Sequence, residues 1–342
     1  MLEQQGVIDS FSSLRWRRRF FEPGEFELHV PATEENLSLL RAGNILYRLD
    51  RQEAGIVESV KIMESDGGDE IEATGRMGSS LLNRRIITPA ISFSGTVENA
   101  MRRIVSDNAI TSRPINFLAL GDARGFPPTC GFQASEKNVL TVLKALSKSA
   151  PLGFRVRLDM PNPKWVFETY SGTDRTVGQT ENPYVLFSDG FGNISTPSYT
   201  LDTTGFSNFA YVAGEGEGDA RTIVEVDRTG GEARWELWVD AGDVQKGDLT
   251  DDEYRSQLTR RGLDQLAETA KAECFEATAV NTENFQYLTD WDLGDIVSFE
   301  QWGLRLDQRI TEVEEVYENG VETITPVCGT PLPETLNLGS GT

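Results

Sequence analysis

Between Ser13 and Val30 the chain alternates. Leu14, Trp16, Arg18 and Phe20 fall on one side of an extended segment and Arg15, Arg17 and Arg19 on the other, the period of two expected of a strand with one buried face. Glu22-Pro23-Gly24-Glu25 follows, where proline presets one turn position and glycine accepts a positive φ, and Phe26, Leu28 and Val30 then alternate again. The pattern predicts a β-hairpin. Thr33-Glu34-Glu35-Asn36 caps a short helix carrying Leu37, Leu39 and Leu40, and Gly43 stops it. Strands are predicted near 45–50, 55–63 and 70–76, the last two joined by the acidic turn "ESDGGDE".

Helical spacing takes over after Ser94-Gly95-Thr96, where Val97, Ala100, Met101, Ile104 and Val105 share one face, and again after Ser135, where Val139, Leu140, Leu143 and Leu146 do. Both faces are predicted to pack on strands near 154–159 and 164–170. Strand patterning resumes from about 206 with "FSNFAYVAGEGEGDARTIVEV" and "EARWELWVD". Thr250-Asp251-Asp252-Glu253 reads as a capping box, opening a helix with Tyr254, Leu258, Leu266, Ala267 and Ala270 on one face. Strands are predicted near 273–280, 295–299, 304–316 and 321–327. The reading is thus α+β and mainly β: a β-barrel-like domain at 1–94, an α+β region at 95–205, a second β-rich domain with one long helix at 206–330, and a tail at 331–342.

An internal echo links the two β domains. Gly43-Asn44-Ile45 is followed by "IVESV" and then by Glu70-Ile71-Glu72 and Gly75; Gly294-Asp295-Ile296 is followed by "ITEV" and then by Glu322-Thr323-Ile324 and Gly329. In each, a turn glycine launches a strand, a second strand alternates apolar and acidic residues, and a third ends in glycine.

Charge narrows the function. Of 342 residues, 54 are acidic and 32 basic, a formal net charge of −22, which opposes non-specific binding to DNA or to an anionic membrane. The N-terminus lacks a basic stretch followed by an apolar run, and no segment approaches the roughly 20 apolar residues of a membrane span, so a soluble cytosolic product is expected. Cys130, Cys274 and Cys328 are odd in number and widely separated, which points to reduced, buried thiols rather than disulfides or zinc.

Catalytic constellations are sparse. The one histidine, His29, lies in a strand, and no GxSxG elbow occurs. Acidic pairs are too abundant for any pair to stand out as a glycosidase couple. In "AGEGEGD" the interleaved Glu215 and Glu217 would repel phosphate, and "DAGDVQKGDLTDDE" puts Gly242 and Val244 where a calcium loop needs oxygen donors. No catalytic, cofactor or metal residue is therefore assigned. Arg15, Arg17 and Arg19 are the candidate contact residues, with carboxylates on an adjacent strand or another subunit favoured over a polyanion. Arg18, on the apolar side, has no explanation at this level.

The run "SSLRWRRRFFEPGEFELHVPATEENLSLLRAGNIL", the pieces "EAGIVESV", "SSLLNRRII", "GFRVRLD" and "VAGEGEG", and the closing "DWDLGDIVSFEQWGLRLDQRITEVEEVYENG" together resemble siphovirus tail-hub proteins of the ReqiPepy type. That resemblance implies an architecture like the hub of contractile tails, where three copies, each with two related β-barrel domains, form a ring between the tail tube and the host-facing tip. It implies a non-enzymatic homotrimer at the virion tail tip, assembled in the host cytoplasm, without a membrane anchor or cofactor. Its partners would be the distal tail protein, the tape measure protein and tip or fibre proteins, with genomic DNA only in passage. Two β domains taken three times give six similar units, which would match a sixfold tube, and an acidic wall would not trap DNA. Two rivals remain: a tail-associated wall hydrolase using an Asp/Glu pair, and a carbohydrate-binding module using Trp165, Trp235, Trp238, Trp291 and Trp302. The strand positions of most of these tryptophans favour the core instead.

Overall fold

The computed structural model describes residues 2–64, 68–218, 221–282 and 285–329; the tail expected at 331–342 lies outside the described residues. Two compact units emerge, one made of Met1–Ser198 and Glu276–Cys328, the other built on Tyr199–Phe275. Residues 206–275 of the expected second β domain thus sit with the long helix in a unit of their own, while the strands from 296 onward join the sheet begun at Ser13.

The first unit opens with the hairpin β1 (Ser13–Arg19) and β2 (Glu25–Pro31), which places Trp16 opposite Phe26. The short helix α1 (Glu34–Leu39) is capped by Thr33, whose Oγ1 accepts the Asn36 N–H at 3.1 Å. Then come β3 (Ile45–Tyr47), β4 (Ala54–Met63) and β5 (Glu70–Met77). The alternation read from sequence is realised on the inner side of β1 and β2: Leu14, Trp16, Phe26, Leu28 and Val30 are buried and pack with Val57, Ile71 and Ala73.

Next in the chain are β6 (Ile91–Thr96), α2 (Val97–Val105), β7 (Leu118–Leu120), β8 (Thr129–Ala134), α3 (Val139–Ser149), β9 (Gly153–Asp159) and β10 (Lys164–Tyr170). β6 pairs with β8, and β10 sits between parallel β7 and antiparallel β9. The helical faces anticipated from spacing are buried: Val97, Ala100, Met101, Ile104 and Val105 of α2, with Val139, Leu140, Leu143 and Leu146 of α3, share one core with Phe154, Trp165 and Phe167. Removing that apolar area from water is what holds helices this short in place.

Two short strands with no clear periodicity, β11 (Asp174–Arg175) and β12 (Leu186–Ser188), come before β13 (Ile194–Asp202), along which the chain enters the second unit. There β14 (Phe209–Ala213) is central, between antiparallel β15 (Ile223–Asp227) and parallel β16 (Glu236–Asp240). The helix α4 (Asp251–Glu268) starts in the capping box that the sequence announces: Thr250 Oγ1 accepts the Glu253 N–H and Glu253 accepts the Thr250 N–H. Its Tyr254, Leu258 and Leu266 pack on Val212, Val224 and Val226.

The chain returns along β17 (Ala272–Ala279) and ends in β18 (Ile296–Gln301), β19 (Leu304–Glu318) and β20 (Val321–Gly329). β19 inserts beside β1, giving the strand path β20-β19-β1-β2-β5-β4-β3, and β11 and β12 add in parallel to β18. The cysteines Cys130, Cys274 and Cys328 are buried.

Gly43 and Gly294 sit in closely matching geometry. Both take a left-handed φ, 93° and 96°, which glycine adopts without penalty. The Gly43 N–H donates to Val57 O and the Val57 N–H to Asn44 O; the Gly294 N–H donates to Ile310 O and the Ile310 N–H to Asp295 O. Strands starting at Ile45 and Ile296 then pair antiparallel with β4 and β19, and each of those partners bulges one residue later, between Val57 and Ser59 and between Ile310 and Glu312. By hydrogen bonding, Val57 is therefore the counterpart of Ile310, and β3-β4-β5 the counterpart of β18-β19-β20.

Candidate functional site

The seam between the first strand and β19 concentrates the charge of the first unit. On the outer face of β1, Arg17 stands opposite Glu314 of β19 and Glu25 of β2, and Arg19 opposite Glu312. Strand register alone brings these side chains within reach. Arg15 meets Glu314 at 3.2 Å; Arg17 meets Glu314 at 2.9 Å and Glu25 at 3.2 Å; Arg19 meets Glu25 at 3.1 Å and Glu312 at 3.4 Å. All three candidate arginines are thus spent on carboxylates of neighbouring strands of the same chain. Burial works against the Arg17 charge, but Glu314, then Glu25 and Glu312, outweigh it and raise its pKa. Burial has the opposite balance at Glu312, where it lifts the carboxyl above its usual range despite Arg19 and Arg17.

The inner face carries what the local pattern leaves unexplained. Arg18 is buried and donates to Glu53 Oε1 (3.2 and 2.9 Å), to Asp292 Oδ1 (2.6 Å) and to the Tyr287 hydroxyl (2.8 Å). The Tyr287 hydroxyl in turn donates to Glu315 at 3.1 Å. Glu315, fully buried, accepts from Arg48 at 2.8 Å, Arg51 at 2.5 Å and the Tyr317 hydroxyl at 3.0 Å. On the other side, Arg155 lies 3.7 Å from Glu53 and 2.7 Å from Glu168, which also takes Arg157 at 3.2 Å. Burial pushes the Glu53 carboxyl up, yet Arg18 and Arg155 more than offset it and hold it below its usual value.

In this cluster the buried Glu53, Glu168 and Glu315 are thus each held by two arginines. Their lone pairs are taken by fixed guanidinium N–H groups, an arrangement that locks strands together and is poorly suited to delivering a proton. The cluster ties residues 18–53, 155–168 and 287–315 into one network. Among the described residues, no group of His, Cys, Asp and Glu is placed to hold a metal ion.

His29 sits beside Glu70 (3.0 Å) and Glu27 (3.2 Å). Burial opposes its charge, but the two carboxylates prevail and raise its pKa above 6.5. Its stabilisation is complete below the unfolded value and fades as pH rises through the raised folded value. His29→Gln should therefore lower the urea midpoint at about pH 5.5 and leave it unchanged at about pH 9; a loss that persists at the higher pH would contradict the charge pairing.

Of the tryptophans singled out from sequence, Trp165 and Trp291 are buried core residues, while Trp235, Trp238 and Trp302 are 50%, 58% and 60% exposed. Core packing accounts for only two of the five. The glycine-rich "AGEGEG" stretch follows β14, and the next element among the described residues is the strand β15.

A family model described as Siphovirus ReqiPepy6 Gp37-like protein matches residues 1–330. No curated protein matches the chain. Similar solved structures are a tail protein from Neisseria meningitidis MC58 (14% identity, TM-score 0.59, covering 94% of this chain and 92% of that one) and the 43 kDa tail protein of prophage MuSo2 from Shewanella oneidensis (11%, 0.60, 96% and 97%). A third is the prophage tail protein gp18 from Listeria monocytogenes EGD-e (14%, 0.54, 94% and 90%). At these identities the likeness is one of fold, mainly β with a few helices, as in these phage tail proteins.

Proposed function

The chain belongs to the Siphovirus ReqiPepy6 Gp37-like protein family, and from that premise we propose that it is a phage tail and baseplate protein, a structural, non-enzymatic hub, trimeric in the tail. One observation carries the reading: β3-β4-β5 and β18-β19-β20, each led by a left-handed glycine and each bulged at the same step. Two such modules in one chain, which we take as related copies, give six when three chains close a ring. A ring of that kind mates with a sixfold tube on one side and offers threefold symmetry on the other.

The arginine-held carboxylates suit the role. A ring at the end of a tube is loaded mechanically, and a network spanning both ends of the chain resists peeling of β19 from β1. The net charge of −22 suits a wall along which DNA passes without being held. Distal tail, tape measure and tip or fibre proteins are the partners this position implies, in the virion tail tip after assembly in the host cytoplasm. Mass photometry of the purified chain at micromolar concentration tests the trimer: a species of three times 37.9 kDa is expected, and a monomer throughout would overturn it.

A further inference from the structure

The sheet of the second unit has two unlike faces. α4 covers the side of Val212, Val224, Val226 and Val239; on the other side Phe209 and Ala213 are buried, Tyr211 is half-buried, and Glu225 and Trp238 are exposed. Across its three strands, the middle row of this other face is Glu225, Tyr211 and Trp238, since Tyr211 is opposite both of the others. Strands lie about 4.8 Å apart, so Glu225 and Trp238 stand about 10 Å from each other with Tyr211 between them.

Two cations of this chain already lie on this face, and one of them, Arg234, also stands 5.4 Å from the centroid of the Tyr211 ring in the middle row. Arg234 lies over the Phe209 ring, 3.4 Å from its centroid, donates to the Tyr211 hydroxyl at 2.5 Å and pairs with Glu236 at 2.8 Å. Arg221 pairs with Asp240. In the middle row Trp238 is 58% exposed, and Glu225 is exposed and meets no cation among the described residues. The face therefore shows, one row away, how it takes a guanidinium: flat on an aromatic ring with a carboxylate at the edge.

We propose that the middle row docks a lysine- or arginine-bearing segment of a partner protein, the alkyl stem lying along Trp238 and Tyr211 and the cation reaching Glu225. Charge complementarity selects this occupant, because a second copy of a chain at −22 would bring further negative charge to an acidic face. The inference stands apart from the trimer proposed above, and its test does not require one.

The test is an NMR titration of the full chain with a synthetic peptide of alternating lysine and threonine, read at the Trp238 indole N–H. A saturable shift is expected, absent with the glutamate counterpart of the peptide. Glu225→Lys, followed at that indole, and Trp238→Ala, followed at the Tyr211 amide, should each weaken binding about tenfold. Glu34→Lys, which makes the same charge change on α1 in the first unit, should leave affinity unaltered. Equal weakening by Glu34→Lys would reduce the effect to net charge and overturn the site. So would a neutral oligosaccharide that binds at Trp238 more tightly than the basic peptide, or a Trp238 shift produced by protein concentration alone, the mark of a second copy.

Discussion

Glu315→Ala is expected to destabilise the first unit by about 3–5 kcal/mol, the range for removing one member of a buried, hydrogen-bonded charge cluster. The substitution leaves Arg48 and Arg51 without their shared buried acceptor and takes the bonds of two tyrosine hydroxyls with it. The loss is the desolvation of stranded guanidinium groups more than the worth of any one pair. Urea unfolding should show it as a large fall in midpoint. A companion variant separates the two ideas: replacing Glu315, Arg48 and Arg51 together by Leu, Met and Met should recover much of the loss, because neither guanidinium is then left without its buried carboxylate. A triple variant as unstable as Glu315→Ala would mean that the network's geometry, and not its charge balance, holds the seam.

Trp16→Ala should cost about 3–5 kcal/mol by opening a cavity in the centre of the sheet. Trp16 is fully buried, stacked on Phe26 with ring centroids 6.0 Å apart, and lies under the Arg48 guanidinium. Among the described residues its indole N–H has no hydrogen-bond partner, so the effect comes from packing and from the Arg48 contact. Trp238→Ala, on an exposed face, should stay within about 0.5 kcal/mol. Thermal unfolding of both variants checks the contrast, and similar losses at the two positions would contradict the assignment of faces.

That contrast also marks what the amino-acid order could and could not disclose. Period-two and helical spacing place the strands around Trp16, the helices of the middle region and the capping box at Thr250, because those signals are local. They do not say which face of a strand is covered. Trp238 and Val239 are adjacent on one strand, yet only Val239 meets α4. The same limit hid the role of Arg18. Its position on an apolar face is plain in "SLRWRRRF", but its partners are 35, 269 and 274 residues away, and pairing of β1 with β19 is what delivers two of them. For Arg15, Arg17 and Arg19 the acidic partners follow from the alternation of glutamates in β19, once that strand is known to be the neighbour. The short β11 and β12 left no pattern to read, since a few residues pairing in parallel with β18 carry no period of their own.

The glycines of the paired modules were legible for a different reason: a left-handed φ at Gly43 and Gly294 restricts the residue type itself. The bulge that follows each was not, because an inserted residue leaves composition unchanged and only shifts register.

The most direct test of the hub reading is cryo-electron microscopy of intact tails carrying this chain. Three copies closing a ring around the channel axis at the distal end of the tube are expected, with β3-β4-β5 and β18-β19-β20 alternating around that ring as six similar modules. A single copy, a position away from the tail tip, or a ring in which only one of the two modules faces the tube would contradict it.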